Sequence, residues 1–221
     1  MRLANLLVPV FLLAGLLMFL RAPYLINAAP QEVTMGIVQK IFYFHVPSAM
    51  MAMLSAILCG VASAFFLWRR RPLADHVAVS AAELVVVFGA IVLVTGPLWA
   101  RKAWGVWWVW EPRLIITLIM WLLFLAYLLL RRFGGPGSDV LAAAVGLFGA
   151  VLVPFVYWSV NMWRTMHPTT DVVPTLLPPM RTPFWWAVAA FVLFYIPLLL
   201  VRVRLEKSRA ALEQAYLALE D

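Results

Sequence analysis

Residues 78–98 read AVSAAELVVVFGAIVLVTGPL, residues 99–113 WARKAWGVWWVWEPR and residues 114–130 LIITLIMWLLFLAYLLL: an apolar run, a tryptophan-dense break and a second apolar run. Each run is long enough to cross a bilayer core with some tilt, which takes roughly 20 residues. Strict two-residue alternation is absent, which argues against a β-barrel. Backbone groups in lipid must be satisfied within their own segment, so both runs are predicted to be helices.

Working outward, four further runs of this kind lie at 3–23, 46–68, 139–160 and 184–201. Hydrophobic residues make up 65% of the 221 and charged residues 12%. A soluble domain has roughly 45–50% apolar and about 25% charged residues. The expected fold is therefore an all-α membrane protein of six transmembrane helices. It forms one domain over residues 1–202, with a Trp-rich outer loop between the third and fourth helices. Residues 203–221 are expected to form a short cytoplasmic helix or tail, with Leu205, Leu212, Tyr216 and Leu219 on a loose stripe. The run after Met1 and Arg2 extends to Leu20, long for a signal peptide, and reads as an uncleaved first span.

Charge orients the chain. Ten basic residues (Arg2, Arg69, Arg70, Arg71, Arg131, Arg132, Arg202, Arg204, Lys207 and Arg209) fall on one side. Seven (Arg21, Lys40, Arg101, Lys102, Arg113, Arg164 and Arg181) fall on the other. The larger set is expected in the cytoplasm, with both termini. The net charge of +7 then belongs to membrane topology and not to a nucleic-acid surface. The single cysteine, Cys59, excludes an internal disulfide, and no Cys-x-x-Cys-His is present for covalent haem attachment. Zinc-ligand spacing is also missing.

The expected outer segments are 24–45, 99–113 and 161–183. The first holds an amphipathic stretch around Met35–Phe44, expected along the interface. Pro168, Pro174, Pro178, Pro179 and Pro183 break up the third. The inner loops are expected at 69–77 and 131–138, the latter turning on Gly134-Gly135-Pro136-Gly137.

Of the 11 tryptophans, Trp99, Trp104, Trp107, Trp108 and Trp110 lie in the second outer segment. Trp158, Trp163, Trp185 and Trp186 flank the third. An interfacial aromatic belt populates both membrane faces, whereas these nine share one. Indole faces suit a large, flat, apolar ligand, and haem is one. Its propionates call for Arg or Lys, and Arg101, Lys102 and Arg113 lie beside the rings. Gly105 is read as permitting close backbone approach. His45, before Pro47, and His167, before Pro168, flank the loop on the same face and are candidate iron ligands. A lone interfacial histidine is more often a polar tip, and the residues alone leave both readings open. His76, beside Asp75, reads as a solvated residue of the inner loop. Glu83 lies inside the third span, where a carboxylate is a functional candidate by default. It is read as snorkelling or pairing with an inner-loop arginine.

The run Trp104-Gly-Val-Trp-Trp-Val-Trp-Glu-Pro-Arg113 resembles the "WWD" signature, Trp-Gly-x-x-Trp-x-Trp-Asp, of membrane proteins that handle haem in cytochrome c biogenesis. Tyr43-Phe-His-Val-Pro47 and Trp163-x-x-x-His167 also resemble motifs of the haem exporter protein C family, and Thr95-Gly96 leads into the Trp loop in the same way. The resemblance covers roughly residues 35–205. It implies an inner-membrane protein that binds haem b on the periplasmic face through His45 and His167. The Trp loop, with Trp99, Trp163 and Arg113, would surround the macrocycle. The implied role is delivery of haem to a membrane-anchored chaperone, protein E. Implied partners are the two ABC transporter proteins A and B, a small single-span protein D and membrane lipids. Glu111 stands where the signature has Asp; it is read as orienting the loop through indole N–H groups or Arg rather than contacting iron.

Two other functions fit the residues less well. A b-type cytochrome that transfers electrons would stack paired histidines deep within the spans, and neither His45 nor His167 is deep. A haem lyase would need more spans and larger outer domains than 221 residues allow.

Overall fold

The computed structural model describes the backbone of residues 2–220. Six helices run α1 (Arg2–Ala28), α2 (Phe42–Arg69), α3 (Pro72–Ala103), α4 (Pro112–Phe133), α5 (Ser138–Met162) and α6 (Pro178–Glu220). All six are long and apolar enough to cross a membrane. Among the described residues the only β pairing is an isolated bridge between Glu32 and Gly36. The all-α, six-span expectation holds.

The helices extend further than the apolar runs, so the connections are short. Only Arg70 and Arg71 separate α2 from α3, with Arg70 in the left-handed region (φ 53°). His76 therefore lies in the first turns of α3, partly buried, and not in a solvated loop. The expected inner loop at 131–138 contracts to residues 134–137. Pro72 and Pro112 occupy the first positions of α3 and α4, where a missing N–H costs nothing. The Trp-rich loop contracts likewise to residues 104–111, because α3 continues through Trp99 to Ala103.

In the first outer segment a 3-10 turn, Ile37–Ile41, runs straight into α2. Phe42 and Tyr43 are buried. Phe42 stacks on Phe184 of α6 at 5.1 Å, and Phe42 and Tyr43 meet edge-on. At the chain's other end, residues 203–220 do not form a helix of their own. They continue α6, whose 43 residues span roughly 64 Å at 1.5 Å per residue, about twice a bilayer core.

Small residues let the helices approach closely, as they do where lipid removes the hydrophobic drive between helices. A Cβ on Gly60 of α2 would sit 2.3 Å from that of Ala150 in α5. On Gly146 it would meet Ser63 Oγ at 3.0 Å and Cys59 Sγ at 3.1 Å. The centre of the bundle, around Ala56, Cys59, Ala82, Val85, Phe124 and Tyr127, is fully buried. α1 lies along α6: Phe19 packs edge-on against Phe191 and Phe194, and the Trp186 indole donates to the Met18 carbonyl at 3.0 Å.

The end remote from the Trp loop is held by ion pairs. Arg131 of α4 donates to Asp75 of α3 at 2.5 Å. Arg202 of α6 grips Glu83 of α3 with two nitrogens and also donates to Glu206 at 2.9 Å. Glu83 thus pairs with Arg202 of α6 and not with the α2–α3 turn. The pair is partly exposed, so an Arg202→Ala substitution should cost about 1–3 kcal/mol, below the full penalty for an unpaired buried charge. Combining it with Glu83→Ala should recover part of that loss in a thermal melt; additive losses would show that the two side chains do not couple.

Candidate haem cleft

Three segments meet at the other end: residues 29–41, the Trp loop 104–111, and residues 163–177 between α5 and α6. Between them and the adjoining turns of α3 and α4 lies a small, partly open cleft with an enclosed volume of about 120 Å³. Val92, Leu93, Gly96 and Pro97 of α3, with Leu114 and Thr117 of α4, form one part of its wall. Trp99, Trp104 and Trp108 bring indoles to it; His45, His167 and Arg113 bring nitrogen.

His45 sits in the first turn of α2, 8% exposed. Its Nδ1 lies 2.8 Å from Thr95 Oγ1. The Thr95 hydroxyl donates its one hydrogen to the Ile91 carbonyl at 2.7 Å, so toward the ring it can only accept. Nδ1 of His45 is therefore the donor, and in the neutral ring Nε2 is the bare lone pair. His167 reaches the same state by another route: its Nδ1 donates to the Pro168 carbonyl at 2.8 Å, and a carbonyl cannot donate back. Trp99 packs edge-on against His45 at 5.7 Å, and Trp104 against His167 at 6.5 Å.

Burial, and then the positive charge of Arg113, bring the His167 pKa down to about 4 from the usual 6.5. The ring is neutral at physiological pH. Arg113, second residue of α4, forms no ion pair or side-chain hydrogen bond among the described residues although it is half-buried in the cleft wall. A guanidinium so placed suits an incoming anion.

Not every residue singled out in the sequence reaches the cleft. Trp107 and Trp110 are 57% and 75% exposed, and Trp163 is 48% exposed. Arg101 and Lys102 are exposed and line none of it; Arg101 instead donates to the Gly105 carbonyl and closes the end of α3. Gly105 has φ 79°, and a Cβ there would meet nothing within 4 Å. Its role is the left-handed turn and not close backbone approach. Glu111 bonds neither indole nor arginine: its Oε2 accepts the Met166 amide at 2.9 Å.

Three contributors were not foreseen. Met35 lines the cleft, and its sulfur accepts the Trp99 indole N–H at 3.4 Å. The Glu32 carboxylate holds that turn, accepting the amides of Thr34 at 2.8 Å and Met35 at 2.6 Å. Thr95 sets the His45 tautomer; its only trace in the sequence was the Thr95-Gly96 step into the loop. Among the described residues, no group of three or more His, Cys, Asp and Glu comes together.

Six helices long and apolar enough to cross a membrane, with two histidines and an arginine in one cleft beside an indole-rich loop, define a polytopic membrane protein with a candidate ligand site at one end of the bundle. The sequence profile of the heme exporter protein C family matches residues 1–217, and the chain belongs to that family. Heme exporter protein C of Escherichia coli K12 is 33% identical over 186 residues, 80% of this chain and 73% of that one. Its counterpart in Bradyrhizobium diazoefficiens is 35% identical over 187 residues, 82% and 71% of the two chains. A ccmC-like mitochondrial cytochrome c biosynthesis protein of Marchantia polymorpha is 34% identical over 144 residues, 65% and 61%. The protein is thus a multi-pass inner-membrane component of haem export and cytochrome c maturation.

The His167 environment has a pH consequence. As pH falls from 6.5 toward 4, the unfolded chain takes up a proton that the folded imidazole refuses, so this group withdraws stability over that window. Nitrogen-15 NMR of labelled histidine should show His167 neutral and Nδ1-protonated from pH 7 down to about 5. Titration near 6.5 would contradict the buried placement.

Proposed function

We propose that the cleft holds haem b at the periplasmic face, with His45 and His167 ligating iron through Nε2, and presents it to the haem chaperone, protein E. One observation carries this reading. Two imidazoles from distant parts of the chain line one cleft, each with Nδ1 tied to a fixed acceptor and Nε2 free. A hydrogen bond of this type, made by the ring nitrogen that faces away from the metal, orients a ligating histidine and raises its basicity.

Nε2 of His45 and Nε2 of His167 would each donate a lone pair to the iron that bound haem supplies. Trp99, Trp104 and Trp108 offer faces and edges to the macrocycle, and Arg113 is the cation for a propionate. Exposed Trp107, Trp110 and Trp163 lie outside the cleft and suit contact with the chaperone or with lipid headgroups. Haem is carried and not chemically changed. The ABC transporter proteins A and B, with the single-span protein D, form the complex in which the loaded chaperone is released. Both termini are cytoplasmic in this scheme, with Arg69–Arg71, Arg131 and Arg132 on the same side.

Purified protein loaded with ferric haem should show a low-spin bis-imidazole Soret band. His45→Ala and His167→Ala should each shift it or abolish it, and an unchanged band in both would remove the ligand assignment. A Thr95→Val substitution keeps shape but removes the acceptor that fixes the His45 tautomer. Haem affinity should then fall about 10–100-fold, the usual cost of losing the hydrogen-bond partner behind a metal ligand; titration of haem into the variant measures it.

A further inference from the structure

We infer that Glu111 is a positioning residue whose carboxylate clasps the Met166 amide and thereby fixes the turn that presents His167 to the cleft. The inference rests on the proposal that His167 binds iron.

The turn is shaped locally. His167 N–H donates to Thr165 Oγ1 at 3.1 Å, and its ring donates to the Pro168 carbonyl. Both bonds join residues within two positions of each other, so they give the turn its form without attaching it to the bundle. Among the described hydrogen bonds of residues 163–168, Met166 to Glu111 is the one that reaches beyond this stretch and its parent α5, to the N-cap of α4. It crosses 55 residues of sequence.

Glu111 is well placed for this. It is the N-cap residue of α4, in an extended conformation (φ −106°, ψ 157°), and its carbonyl accepts the Ile115 amide at 3.0 Å. That backbone anchor fixes the base of its side chain. The residue is 6% exposed, and its second oxygen, Oε1, is buried without a partner. A buried carboxylate with one compensating bond is costly. The site keeps it where an amide needs an acceptor, and a bond from an N–H to a charged acceptor is about twice as strong as a neutral one. Arg113 lies two residues on, in the same first turn of α4. The clasp therefore joins the cation of the cleft and one of its imidazoles into a single unit.

Hydrogen exchange on the full-length, haem-free protein in nanodiscs tests the clasp without haem, and the ferric spectrum tests its consequence. In Glu111→Ala, amides of 163–167 should exchange about tenfold faster or more, with α2 and α5 exchanging as in the parent. Glu111→Gln keeps an acceptor oxygen and should retain most of the protection, whereas Glu111→Asp, one methylene shorter, should fall between Gln and Ala. After haem loading, Glu111→Ala should show a high-spin ferric fraction that Glu111→Gln largely removes. Unchanged exchange in Glu111→Ala overturns the clasp. Faster exchange with a parental spectrum overturns its positioning role. A His167→Ala spectrum identical to the parent's would instead defeat the ligand assignment, leaving the exchange result to stand by itself.

Discussion

Lipid offers no hydrogen bonds to an exposed backbone, and every later feature of this protein follows from that constraint. It forces the chain into helices wherever it lies in hydrocarbon and restricts irregular backbone to the two ends of the bundle. A site that needs carbonyls, turns and side chains from several segments can be assembled only at such an end. Here one end has connections of two and four residues, with too little chain to build anything. The other end has three longer segments, and the cleft lies among them.

Within the cleft, the same shortage of hydrogen-bond partners determines chemistry. Ile91 takes up the Thr95 hydrogen, Thr95 thereby fixes the His45 proton, and the Pro168 carbonyl fixes that of His167. In its neutral form each imidazole then presents Nε2 as its free lone pair. In the proposed reading, such a pair of nitrogens, beside a guanidinium with no partner among the described residues, suits a ligand with a metal centre and an anionic edge. Haem combines both with a face that indoles can pack against.

The spans were legible from apolar runs because that pattern reports directly on the solvent. Their ends were less so: α3 reaches Ala103 and begins at Pro72, since helices persist into the interface where composition has already turned polar. The two histidines and Arg113 were legible as a set of residue types sharing one face. Which of the five loop-region tryptophans enter the cleft was not, because a loop has no period to assign sides; Trp104 and Trp108 line it, while Trp107 and Trp110 are exposed. Arg101 and Lys102 looked equivalent to Arg113 by proximity in sequence, yet they end a helix whereas Arg113 begins one. Glu83 read as an inner-side ion pair, and its partner Arg202 lay 119 residues away, beyond the reach of local inspection.

Rescue of a ligand cavity bears most directly on the two-histidine cleft. In a His167→Gly variant loaded with ferric haem, the low-spin signal should give way to a high-spin one, and added imidazole should restore it by filling the vacated position. The same should hold for His45→Gly. A low-spin spectrum that persists in His167→Gly without imidazole, or one that imidazole never restores in either variant, would contradict ligation from these two residues.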